Sequence, residues 1–159
     1  MEFLKALSRS TDQSRFQVIH LTGEKDYACA KEGYKRISVD VRVFDFFASM
    51  HYGYSACDLV ISRAGATTIT EIAFFQLPAI VIPYPYAQSH QVANAKVLEK
   101  KGAAIVMHDE ELNADALLYL IELLVNNPDR LNRMRATYGA EASERNAARI
   151  LFDEAMSLN

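Results

Sequence analysis

The stretch Asp58–Glu71, DLVISRAGATTITE, reads as a buried strand, a tight turn and the start of a helix. Leu59–Ser62 is a short apolar run of the kind that suits a strand covered on both faces. Gly65 lets the backbone approach a bound group closely at the turn. The first helical N–H groups, near Ala66, Thr67 and Thr68, have no carbonyl four residues back, and they coincide with the positive end of the helix dipole. Such a helix start favours an anion and suits a diphosphate. Thr67, Thr68 and Thr70 add hydroxyl donors. Glu71 lies about one turn further in, where a carboxylate can accept from two neighbouring hydroxyls of a ribose. A plainer reading stands beside this one. Thr68, Ile69, Thr70 and Glu71 also fit the S/T-x-x-E capping box, in which Glu71 serves only the helix's own backbone.

Outward from this stretch, short β-rich runs alternate with helical patterns. Strands are expected at Phe16–Leu21, Ile37–Val43, Leu59–Ser62, Ala79–Ile82 and Ala104–Met107. Helices are expected near 2–12, 24–33, 46–56, 66–76, 89–101, 111–126 and 128–157. This alternation predicts an α/β fold with a Rossmann-like parallel sheet and helices on both faces. Gly102 after Lys100 and Lys101 marks a helix end, and Pro128 suits a first helical turn. With 159 residues, no repeat and no linker, the chain is expected to form one domain, residues 1–159. It opens on a helix, without the strand and glycine-rich turn that usually begin such folds, and it holds no GxGxxG or P-loop pattern.

Composition narrows the function. Half the residues are hydrophobic and 23% are charged, as in a soluble globular protein. Net charge is −3, from 17 basic and 20 acidic side chains without long blocks, which argues against nucleic acid as the main partner. Cys29 and Cys57 fit no disulfide framework or metal spacing and are expected to be reduced and largely buried. His20, His51, His90 and His108 form no metal-ligand pattern. No run reaches the ~18 apolar residues of a membrane-spanning helix, and the start lacks a signal-peptide core. The expected location is the cytoplasm.

Two further stretches fall after strands, at the carboxyl edge where open α/β sheets bind ligands. PYPYAQSHQVAN, residues 83–94, offers His90, Gln91 and Asn94 as neutral hydrogen-bonding groups. Neutral amides suit sugar hydroxyls, which need donor and acceptor together. Helix capping and loop solvation are the bland reading of the same residues. FDFF, residues 44–47, reads either as one wall of a base pocket or as core.

Taken together, DLVISRAGATTITEIA at 58–73, LPAIVIPY at 77–84 and HQVANA at 90–95 resemble the signature region of the bacterial MurG family in order and spacing. The likeness covers about residues 16–150 and is dense from Asp58 to Ala104. It implies one half of a glycosyltransferase-B fold, in which two Rossmann-like domains face each other across a cleft. By position, Glu71 matches the ribose-binding glutamate. Ala66, Thr67, Thr68, Ile69 and Thr70 match the helix start beneath the diphosphate, with Arg63 and Gly65 in the turn before it. Gln91 matches a residue that reads the N-acetylglucosamine ring, with His90 and Asn94 beside it, and Phe47 sits where backbone groups pair with uracil.

For that family the reaction is inverting transfer of N-acetylglucosamine from UDP-N-acetylglucosamine to a lipid-diphosphate-linked acceptor, forming lipid II in peptidoglycan synthesis. The resemblance implies no cofactor and no required metal. Two departures stand out. The family usually carries acidic residues after the uracil contact, where this chain has Ala48, Ser49 and Met50. The acceptor domain, with its candidate general base, and a first strand with a glycine-rich loop are not in the sequence. The chain is therefore expected to be a fragment, a truncated frame or the soluble subunit of a split transferase. The eukaryotic two-subunit enzyme that adds the second N-acetylglucosamine to dolichol-diphosphate is a precedent. The expected partners are UDP-N-acetylglucosamine, an acceptor domain or subunit that holds the chain at the inner face of the membrane, and the lipid-linked acceptor. The chain alone is expected to be inactive. Two other readings stay open: another UDP-sugar enzyme of the same fold, such as a 2-epimerase or glycolipid synthase, and a non-catalytic nucleotide-sugar-binding module.

Overall fold

The computed structural model describes residues 2–85 and 90–139. The expected helix over 128–157 is described only as far as residue 139, and residues 86–89 of the 83–94 stretch also lie outside. In chain order the elements are α1 (Glu2–Arg9), β1 (Gln17–Leu21), α2 (Glu24–Tyr34), β2 (Asp40–Phe44), α3 (Met50–Ala56), β3 (Val60–Ser62), α4 (Ala66–Phe74), β4 (Ala79–Val81), α5 (His90–Lys101), β5 (Ala104–Val106), α6 (Ala114–Val125) and α7 (Pro128–Ala136). The chain divides into two compact units, Met1–Cys57 with Met107–Pro128, and Asp58–Val106 with Asp129–Asn159. The strands form two parallel sheets, β1-β2 and β3-β4-β5.

In the first unit, β1 and β2 pair in register from Gln17 opposite Asp40 to Leu21 opposite Phe44. Helix α1 packs on α6, burying Leu4, Ala6 and Leu7 on one side and Ala114, Leu117, Ile121 and Leu124 on the other. The Ser10 hydroxyl donates to Glu122 Oε1 at 3.2 Å across the same seam. His20 Nδ1 lies 2.9 Å from the Tyr34 hydroxyl and joins β1 to α2. Burial holds the His20 imidazole below its ordinary value and pushes the Tyr34 hydroxyl up.

Several expectations need correcting here. Helices are expected on both faces of the sheet, yet Ile19 and Leu21 of β1 keep 43% and 39% of their surface within this unit. Pleating sends alternate side chains to opposite faces, and this unit leaves one of them open. Strand β2 starts three residues late because Arg36 and Ile37 still donate to Gly33 and Tyr34 carbonyls at the end of α2. Helix α3 starts at Met50 rather than 46. The Phe46 N–H is taken by Asp45 Oδ1 at 2.7 Å, a local bond that competes with helix. Cys29 is exposed and Cys57 half-buried, so neither thiol is the core residue expected.

In the second unit, β4 is the middle strand, paired in parallel with β3 and β5. Ala79, Ile80 and Val81 are wholly buried there. Ile69 and Ile72 of α4 and Ala95 and Leu98 of α5 supply the helical side of this core. Helix α4 ends two residues earlier than expected, in a Schellman turn: Leu77 N–H donates to Ile72 O and Gln76 N–H to Ala73 O. Gln76 takes the left-handed conformation, φ 54°, that glycine usually fills. Gly102, φ 75°, does the same after α5, where the sequence announced it.

Beyond α7, the Tyr138 hydroxyl donates to the buried Leu77 carbonyl at 3.0 Å. Burial pushes that hydroxyl's pKa up to about 12. Tyr138→Phe keeps the ring and strands the carbonyl, so it is expected to cost about 1–2 kcal/mol of stability. Urea unfolding measures this, and an unchanged midpoint would mean that water replaces the hydroxyl.

Candidate functional site

Parallel pairing places the carboxyl ends of β3 and β4 on the same edge of their sheet. Two connections leave that edge. One runs from Ser62 through Arg63, Ala64 and Gly65 into α4, the other from Val81 toward α5.

Helix α4 begins at Ala66 with Gly65 as its N-cap, and among the described residues no side chain caps it. Its first regular bond runs from Ile69 N–H to Gly65 O at 2.9 Å. The N–H groups of Ala66, Thr67 and Thr68 therefore have no carbonyl four residues back, and a glycine cap brings no oxygen to them. Ala66 and Thr67 are exposed and Thr68 half-buried, so a ligand can reach this end. Thr70 donates its hydroxyl proton to Ala66 O at 3.0 Å. That takes Thr70 out of the expected set of hydroxyl donors. Glu71 is the sixth residue of the helix and half-buried. Thr68 is inside the helix rather than at its cap, so the capping-box reading of Glu71 does not hold.

The three neutral residues of the second stretch divide. His90 is exposed at the first position of α5. Gln91 and Asn94 are half-buried and turn toward the β3–α4 connection. Gln91 Oε1 accepts from the Ala64 N–H at 3.2 Å and from the Tyr84 N–H at 2.9 Å. Asn94 Nδ2 donates to Ala64 O at 3.0 Å. Arg63 reinforces the link, with Nη1 at 3.4 Å from Ile82 O and its guanidinium 5.5 Å from the centre of the Tyr84 ring.

Sequence reasoning missed Ala64 and Tyr84. Their part is played by backbone atoms, which leave no mark in residue type. It also missed Ser62, whose buried Oγ has no hydrogen-bond partner among the described residues. Phe47 belongs to the other unit. There its ring stacks on Phe44, centroids 4.8 Å apart, and lies near Gly53, so the side chain serves packing. Among the described residues no group of three His, Cys, Asp or Glu is placed to hold a metal ion.

The family model described as the glycosyltransferase family 28 C-terminal domain matches residues 2–150. A relative from Halothermothrix orenii, named UDP-N-acetylglucosamine–N-acetylmuramyl-(pentapeptide) pyrophosphoryl-undecaprenol N-acetylglucosamine transferase, is 43% identical over 130 residues, covering 77% of this chain and 35% of its own. A relative of the same name from Anaeromyxobacter sp. strain K is 34% identical over 160 residues, covering 99% of this chain and 42% of its own. The chain thus spans well under half the length of these relatives. Among solved structures, Acinetobacter baumannii MurG superposes with a TM-score of 0.76 at 28% identity, over 86% of this chain and 40% of that one. The glycosyltransferase VinC, solved with DTDP, shares the fold at a TM-score of 0.66 and 19% identity, over 87% of this chain and 33% of that one.

Proposed function

Because this chain belongs to the glycosyltransferase family 28 C-terminal domain family, we propose that it holds the sugar donor, UDP-N-acetylglucosamine, for inverting transfer to a lipid-diphosphate-linked acceptor. The observation that carries this reading is the uncapped start of α4 with Glu71 inside the same helix. Three backbone donors at a dipole end suit the diphosphate, and a half-buried carboxylate further in suits a ribose diol. As the bond to the anomeric carbon breaks, charge grows on the departing UDP, and fixed N–H donors stabilise it without reorganising. The proposal needs neither a cofactor nor a metal at this end. Gln91 and His90 flank the side on which the sugar would lie.

Transfer also needs an acceptor hydroxyl relieved of its proton. This proposal assigns that step to none of the residues described around α4. In this proposal the base and the acceptor site come from the remainder of the protein or from a partner subunit, at the cytoplasmic face of the membrane. No helix among the described residues is long and apolar enough to cross a membrane. The lipid would therefore be met at the surface.

Calorimetric titration of the 159-residue polypeptide with UDP-N-acetylglucosamine, UDP and ADP tests the donor reading. Both uridine ligands should bind and ADP should not. With a lipid-linked acceptor added, this polypeptide by itself should release no product. Equal affinity for ADP and UDP would sink the assignment of a uridine donor, and product formation unaided would sink the assignment of the base elsewhere.

A further inference from the structure

We propose that Gln91 and Asn94 are positioning residues for the diphosphate site. They act on the start of α4 through the two peptide groups that flank Ala64, so losing either weakens binding of the nucleotide itself, with or without a sugar attached. The proposal rests on the donor-binding reading above and changes what that reading expects of these two amides.

The hydrogen-bond partners fix how each amide is turned. Ala64 N–H and Tyr84 N–H are both donors aimed at one atom of Gln91, and that atom must be its oxygen. Ala64 O is an acceptor, so Asn94 must present its nitrogen. Both polar groups of one residue are thus satisfied by two side chains that stand three positions apart on α5, on the same face of the helix. Ala64 is completely buried, and no water would readily replace them.

The location gives the contact its consequence. Ala64 is followed by Gly65, whose carbonyl closes the first turn of α4 and whose successors carry the exposed N–H groups. Rotating either of the peptide groups that flank Ala64 re-aims Gly65 and the donors after it. A glycine cap has no side chain to hold that geometry locally, so the hold comes from α5. The second bond of Gln91, to Tyr84, ties the β4–α5 connection to the same point. Among the described residues, Gln91 keeps a donor in Nε2 and Asn94 an acceptor in Oδ1.

The test uses the full chain and two near-isosteric variants without the relevant bonds, Gln91→Met and Asn94→Leu. The first readout is amide hydrogen exchange in the absence of ligand. Gln91→Met should speed exchange at both Ala64 and Tyr84 by about tenfold, with Ile80 in β4 unchanged as the sign of an intact fold. The second is calorimetry. Asn94→Leu should weaken UDP and UDP-N-acetylglucosamine by the same factor, about tenfold. If it weakens only the sugar nucleotide and leaves UDP unaffected, Asn94 reads the sugar and the proposal is overturned. Unchanged Ala64 exchange in Gln91→Met also overturns it. A parent chain that binds no UDP would sink the donor reading instead, and the ligand-free exchange would still decide whether the amides hold the turn.

Discussion

Gly65→Asp is expected to lower affinity for UDP by about thirtyfold or more while leaving the fold as stable as before or slightly more so. The stability half follows from local geometry. Gly65 has φ −61° and ψ 144°, an extended conformation open to any residue. A Cβ there would meet Thr68 Oγ1 at 3.6 Å, an ordinary contact. Aspartate is a good N-cap, and its carboxylate would accept the N–H groups that glycine leaves bare, for a few tenths of a kcal/mol. The binding half has the opposite sign for the same reason. A diphosphate would find its donors occupied and a negative charge about 4 Å away. That costs about 4 kcal/mol at an effective dielectric of 20, and about half of it at a partly exposed site. Calorimetry with UDP and a urea melt measure the two halves. A variant that unfolds would mean the glycine serves the fold, and unchanged UDP affinity would place the diphosphate elsewhere.

Glu71→Gln should weaken UDP by about 1.5–3 kcal/mol, the scale of hydrogen bonds to a charged group. Stability should change little, since glutamine keeps the length of the side chain and one of its acceptor oxygens. The ribose assignment has its own control. 2′-Deoxy-UDP lacks one of the two hydroxyls, so the parent should discriminate strongly against it and Glu71→Gln hardly at all. If both proteins discriminate equally, Glu71 does not touch the ribose, whatever its effect on affinity.

The elements were legible because their signals are local. Apolar runs placed all five expected strands within a few residues of where they form, and the Asp58–Glu71 stretch showed its strand, turn and helix directly. What escaped depends on partners distant in sequence or on atoms common to every residue. Gly102 advertised its left-handed turn, whereas Gln76 adopts one with no glycine to announce it. Asn113, whose side chain accepts from the Ala116 N–H at 2.9 Å, sets the start of α6 three residues after the expected one. Periodicity alone extended that helix back to 111. At the site, residue types pointed to Gln91 and Asn94 as ligand contacts. Only coordinates reveal that part of each amide is already engaged by Ala64. Burial was misjudged for Cys29 because composition says nothing of which side of α2 it occupies.

The double hold on Ala64 also bears on time. The two peptide groups that flank Ala64 are each held in the ligand-free chain, so the freedom of that turn is surrendered on folding and not again on binding. On the donor-binding proposal, a helix end held in this way should admit its ligand about as fast as encounter and orientation allow. Differences between good and poor ligands at this end then appear chiefly in how long each one stays.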